Sequence, residues 1–175
     1  MNKVYLGLGS NVGEKESNLK KAIHYFLWDT RFEEIKCSSL YITKPYGNIE
    51  QGDFVNCVIS FSTKVDINNI LKITKELEKR IGRHKREKWG PREIDIDILL
   101  FNDLIYEDDS LTVPHKDLLN RDFVLVPLLE INEDIVDPVS EKKIKSFLSD
   151  LEDKYIIDKI NLTLADIKSD NSVKL

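Results

Sequence analysis

The run Ile94-Asp-Ile-Asp-Ile-Leu-Leu100 opens by alternating apolar and acidic side chains, and a period of two belongs to a β-strand whose faces meet different surroundings. Ile94, Ile96, Ile98 and Leu100 are assigned to a core. Asp95 and Asp97 then leave the other face together, roughly 7 Å apart along the chain. The strand therefore needs a packed layer on its apolar face and an opening to water or ligand at the aspartates.

The preceding segments supply a sheet for it. Residues 3–9 (Lys3-Val-Tyr-Leu-Gly-Leu-Gly9) read as a strand and Ser10-Asn11-Val12-Gly13 as a turn. Leu19, Ala22, Ile23, Phe26 and Leu27 recur at helical spacing on one face. Residues 34–43 and 54–63 are rich in β-branched and aromatic types, with Pro45, Gly47 and Gly52 marking a long loop between two paired strands. On the second of these, Val55, Cys57, Ile59 and Phe61 share one face, and Phe54, Asn56, Val58 and Ser60 share the other. Asp66 is placed to cap a helix that carries Ile67, Ile70, Leu71, Thr74, Leu77 and Ile81 inward, and Gly82 to end it. The order β-α-β-β-α-β predicts an α+β fold of the ferredoxin-like kind, an antiparallel sheet with helices packed on one side. A turn at Asn102-Asp103, a loop ending at Pro114-His115, a short helix over residues 124–131 and a lysine-rich amphipathic stretch from about residue 140 follow. Residues 1–150 are expected to form one domain, and residues 151–175 a C-terminal extension of helix and frayed tail.

With 175 residues, 41% of them hydrophobic, the chain can bury one good core. Its net charge of -5 and pI of about 5.3 argue against a surface built for nucleic acid or anionic membrane. Cys37 and Cys57 lie in apolar runs without a CxxC pair and read as reduced core residues. With no export signal and no long apolar run, a cytoplasmic protein is expected, and a monomer is the expectation for its assembly.

Within this acidic chain, residues 79–92 hold seven Lys/Arg against one Glu. A basic run is commonly just a solvated loop, and a lone D-x-D just a wet sheet face. Here the cations lead directly into the carboxylates. Hard carboxylate oxygens at this spacing suit one or two Mg²⁺ ions, which in turn hold a polyphosphate. Arginines clamp phosphate oxygens in bidentate fashion, and Trp89 offers a ring for stacking. There is no GxxxxGK[ST] loop, so a P-loop site is excluded. The Gly7-x-Gly9-x-x-x-Gly13 pattern lacks dinucleotide-site spacing and reads as strand-end and turn glycine. His115, between Pro114 and Asn120-Arg121, is a better ligand candidate than His24 within a helix or His84 in the basic run.

Residues 89–99, Trp-Gly-Pro-Arg-Glu-Ile-Asp-Ile-Asp-Ile-Leu, resemble the signature of the hydroxymethyldihydropterin pyrophosphokinases. Gly7-Leu-Gly-Ser-Asn11, Gly52-Asp-Phe-Val-Asn56, Leu111-Thr-Val-Pro-His115 and Asn120-Arg121-Asp-Phe123 resemble other segments of that family, in order, over roughly residues 3–148. The resemblance implies transfer of pyrophosphate from ATP to 6-hydroxymethyl-7,8-dihydropterin, giving AMP, in folate biosynthesis. It implies two Mg²⁺ ions on Asp95 and Asp97, with Arg83 and Arg92 stabilising the transferring phosphates. Glu78, Lys85, Trp89, Ile98, Thr112, His115 and Arg121 would join Arg83 and Arg92 around ATP. Phe54 and Phe123 would sandwich the pterin, with Asn56 at its edge and Thr43, Tyr46, Trp89 and Asp95 around it. The segments 44–53 and 82–92 are candidates for closing over substrate.

Two positions depart from the family pattern. A second loop arginine is replaced by Lys85, followed by Arg86, and lysine lacks the guanidinium fork. A Thr-Pro-Pro is here Thr43-Lys44-Pro45. The rival readings are a two-metal nucleotidyl transferase or cyclase on a similar sheet and a non-enzymatic module that binds polyanions through residues 79–92.

Overall fold

The computed structural model describes residues 1–47, 51–84 and 90–173. Strand β1 (Asn2–Ser10) leads through the predicted turn into helix α1 (Lys15–Trp28). The segment expected as one strand over 34–43 is two, β2 (Phe32–Cys37) and β3 (Leu40–Thr43). Both lie antiparallel along β4 (Phe54–Thr63), and the break falls at buried Ser38, whose hydroxyl accepts the Val58 N–H and donates to the Ser39 carbonyl. Helix α2 (Ile67–Ile81) starts where Asp66 accepts the Asn69 N–H and stops at Gly82, whose φ of 117° is the left-handed region glycine enters without strain. Strand β5 (Asp95–Phe101), a hairpin of β6 (Tyr106–Glu107) and β7 (Thr112–Val113), and helices α3 (Asp122–Ile131) and α4 (Lys145–Leu148) follow. The last elements are β8 (Ile156–Ile160) and α5 (Leu164–Ser169).

The main sheet runs β5-β1-β4-β3-β8, antiparallel throughout. Its first four members give the ferredoxin-like order expected of βαββαβ, with β2 and β3 sharing one strand position. Leu6, Leu8, Ile59, Phe61 and Ile96 point to one face and pack with Leu19 and Phe26 of α1 and Ile70 and Leu77 of α2.

The two helices of the βαββαβ core thus pack on one side as expected, and α3 adds a layer on the other. Val124, Leu125 and Leu128 of α3 pack with Tyr5, Val58, Leu99 and Leu100 on the opposite face. Residues 123–129 are apolar throughout, so this helix has a surface to bury. Leu100 is among those residues because the β1–β5 register slips, with Tyr5 opposite Leu100 and Leu6 opposite Ile98. Leu99 is the extra residue of a β-bulge. Its insertion turns Leu100 away from the face of Ile94, Ile96 and Ile98.

The stretch expected as helix and frayed tail contains a strand as well as a short helix. β8 pairs with β3 (Leu40 with Ile160, Tyr41 with Lys159), and Ile167 and Val173 are buried in the core beside α1. No helix of the described residues is long and apolar enough to cross a membrane.

Candidate active site

The open part of the second sheet face forms a cleft, and its floor follows from strand register. Gly9 of β1 lies between Asp95 of β5 and Asn56 of β4, and Gly7 lies between Asp97 and Val58. Directly opposed residues in a sheet share a face, so two positions without side chains separate the carboxylates from the β4 residues. Gly9 stands near the end of β1 and Gly13 in the turn, as read from the sequence, and Gly7 and Gly9 in addition form the floor of the cleft. The amide of Asn56 extends over Gly9 and donates to the Thr43 hydroxyl at 2.7 Å.

One wall is aromatic. Phe123, at the start of α3, lies 6.1 Å from the ring of Tyr46, and the Arg121 guanidinium sits 4.4 Å above that ring. Arg121 Nη2 donates to Asp117 at 2.6 Å, while its buried Nε finds no acceptor among the described residues. Phe54 and Asn56 also line this hollow, as their shared strand face predicts.

Charge gathers at the other wall. Asp95 accepts hydrogen bonds from Arg83 at 2.6 Å and from Arg92. Asn11 holds Arg92 in place, its Oδ1 accepting the Arg92 N–H at 2.8 Å and its own N–H donating to the Arg92 carbonyl. Among the described residues Asp97 makes no such arginine pair. Desolvation in the cleft and the neighbouring charge of Asp95 push its carboxyl above the ordinary range. His115 Nε2 is 3.8 Å from Asp97, and its Nδ1 accepts the Asp117 N–H, which places the proton of neutral imidazole on Nε2, toward Asp97. Burial lowers the His115 pKa, more than Asp97 raises it.

A second hollow opens beyond this wall, bordered by Lys75, Ile98, Thr112, His115 and Lys116. Asp97 and His115 line both hollows. The side chain of Ile98 is buried in the core. Its peptide groups are another matter. Ile96 turns its N–H to Glu78 and its carbonyl to Lys75 at the outer edge of β5, and Ile98, two residues on, presents its own groups along the same edge.

The profile of the 7,8-dihydro-6-hydroxymethylpterin-pyrophosphokinase family matches residues 5–133. The chain belongs to that family. It is 46% identical over 145 residues to the 2-amino-4-hydroxy-6-hydroxymethyldihydropteridine pyrophosphokinase of Aquifex aeolicus (strain VF5), covering 82% of this chain and 89% of the relative. The Bacillus subtilis (strain 168) protein of the same name is 37% identical over 77% of this chain and 80% of its own. Among solved structures, a Plasmodium falciparum HPPK-DHPS chain superposes with a TM-score of 0.66 at 18% identity, covering 85% of this chain and 43% of that one. At that identity the likeness is one of fold.

Against the residues expected from the family resemblance, the structure brings Thr43, Tyr46, Phe54, Asn56, Arg92, Asp95, Asp97, His115, Arg121 and Phe123 to the first hollow and Ile98, Thr112 and again His115 and Asp97 to the second. Arg83 meets both Asp95 and Glu78. Glu78 itself is 3% exposed, and its Oε1 takes the Ile96 N–H, Lys75 and Arg83, so it acts on the cleft through these neighbours. Lys85 and Trp89 lie outside the described residues, as do parts of both segments expected to close. Sequence reasoning gave no role to Asn11 or Lys75. Asn11 was quoted only as part of a motif, and Lys75 sits on a helix face where lysine is unremarkable.

Proposed function

We propose that this chain transfers the terminal pyrophosphoryl group of ATP to the hydroxymethyl oxygen of 6-hydroxymethyl-7,8-dihydropterin. The observation that carries this reading is the pair of hollows sharing Asp97 and His115, one aromatic and amide-lined, the other bordered by a strand edge, by Lys75 and Lys116, and by Asp108 and Asp109. The flat pterin takes the first, between Phe54 and Phe123, with Asn56 and Thr43 at its edge and Tyr46, Trp89 and Asp95 around it. ATP takes the second, against the peptide groups of Ile98 and the side chains of Thr112 and His115, with Lys85, Trp89, Arg92 and Arg121 toward its phosphates. Glu78 serves by holding Arg83.

The acid set suits magnesium. Among the described residues no cluster of three His, Cys, Asp or Glu forms a closed metal cage. Two adjacent carboxylates are instead what Mg²⁺ uses when substrate phosphates and water complete its shell. Asp95 and Asp97 would hold two such ions, which neutralise polyphosphate charge when bound. Repulsion by Asp95, which disfavours the charged form of Asp97, would be relieved by a cation that the two residues hold.

In the transfer, the hydroxymethyl oxygen forms a bond to the β-phosphorus and gives up its proton to water, while the bond from that phosphorus to the α,β-bridging oxygen breaks and AMP leaves with that oxygen. Arg83 and Arg92 contribute fixed positive charge to the phosphoryl oxygens, and the rigid floor contributes alignment. Separating nucleotides after incubation with ATP, Mg²⁺ and the pterin tests the reading. AMP formed only with pterin present supports it. ADP, or release of pyrophosphate, overturns it in favour of an ordinary kinase or a nucleotidyl transferase.

A further inference from the structure

The two sides of the aromatic hollow come from separate parts of the fold, the end of β3 with Lys44 and Tyr46, and the start of α3 with Asp122 and Phe123. Residues 155 and 156 join them. The Tyr155 carbonyl accepts the Lys44 N–H at 2.9 Å. The N–H groups of Tyr155 and Ile156 donate to one oxygen of Asp122, at 2.9 and 3.1 Å. Asp122 is 5% exposed and immediately precedes Phe123.

The Tyr155 ring completes the connection. Its centroid is 5.3 Å from that of Tyr46 and 5.8 Å from that of Phe123, meeting Phe123 nearly edge-on at 86°. With Tyr46 and Phe123 themselves 6.1 Å apart, the three rings form a closed triangle. Tyr155 does not line the hollow, so it acts on the two rings that do. It also lies beyond residue 133, where the family match ends.

We propose that Tyr155 is a positioning residue for the pterin, contributed by the C-terminal segment. The inference rests on the reading of the aromatic hollow as the pterin site. A flat heterocycle gains most from a ring already held at the right tilt, because an aromatic side chain that must be ordered on binding gives up part of the contact energy. Tyr155 holds Phe123 and Tyr46 in that arrangement before substrate arrives. The nucleotide hollow takes nothing from Tyr155, and the device acts on one substrate only.

The test uses the full chain with Tyr155→Ala, Tyr155→Leu and Tyr155→Phe. Pterin binding is followed by the pterin's own fluorescence, and KM is measured for each substrate. Loss of the ring in the Ala and Leu variants should raise the pterin Kd and KM about tenfold, the scale of two aromatic contacts, and leave KM for ATP unchanged. Tyr155→Phe keeps the ring and should behave as the wild type. The Leu variant retains bulk, so a pterin defect with an unchanged melting temperature separates positioning from general destabilisation. Pterin affinity unchanged in Ala and Leu, or equal losses for both substrates, overturns the inference. Wild-type protein that fails to bind pterin overturns the reading of the hollow itself, and this inference with it.

Discussion

A Cβ on Gly9 would come within 2.7 Å of Asn56 Oδ1, and this contact gives the floor of the cleft its chemistry. Gly9→Ala should displace the Asn56 amide from its hydrogen bond to Thr43 and raise the pterin KM by roughly tenfold or more, the cost of losing oriented hydrogen bonds to a substrate, with a smaller effect on ATP. Steady-state kinetics with each substrate varied in turn would check it. The acidic pair makes a different demand. Asp97→Ala should cut Mg²⁺-dependent turnover by on the order of 10³ and leave the circular dichroism melt in place; near-normal turnover would remove the metal assignment. The two aspartates were legible in the sequence because both belong to one strand, where a period of two tells which face they share. The role of Gly9 was not, because it depends on the register of β1 against β4, which nothing local to Gly9 specifies.

Among the elements, α3 is secured to the sheet edge by one carboxylate. Glu130 accepts from the Ser39 N–H and hydroxyl at 3.2 and 2.8 Å and from the Tyr41 hydroxyl at 2.5 Å, with Lys159 of β8 at 3.4 Å. Burial works to raise the Glu130 pKa, but the bonds from Tyr41 and Ser39 outweigh it and the carboxyl is held below its ordinary value. A depressed folded-state pKa stabilises fully above the unfolded-state value, 4.5 for a free glutamate, and that contribution fades as pH falls through the folded value. Glu130→Gln should therefore cost about 1 kcal/mol near neutral pH, a modest figure for a side chain 32% exposed. The gap to wild type should narrow as pH falls below the free-glutamate value of 4.5, as urea midpoints at neutral and acid pH would reveal. Helix α2 was legible from Asp66 to Gly82 because both ends carry their own stop signals. Strand β8 was not, since it is a short edge strand whose exposed residues, Ile157, Asp158 and Lys159, mask any alternation.

For the whole molecule, βαββαβ could be read in advance because each element carries its own periodicity. The second covered face could not, because a helix apolar all round does not indicate which surface it will choose. The C-terminal segment contributes to the common core through Ile167, 0% exposed, and Val173, 1% exposed. Ile167→Ala should lower unfolding free energy by about 2–4 kcal/mol, the range for truncating a buried aliphatic side chain. If the segment folds with the rest, denaturation will stay a single transition by fluorescence and circular dichroism. The same segment also shields the sheet. β8 occupies the outer hydrogen-bonding edge of β3, and exposed Asp158 and Lys159 make β8 itself a poor template for another strand. Residues 152–154, just before it, are exposed. A chain cut there and stripped of its last residues would present the bare edge of β3 to its own copies, so a protein trimmed to residues 1–150 should be prone to aggregation even where its catalytic residues are intact.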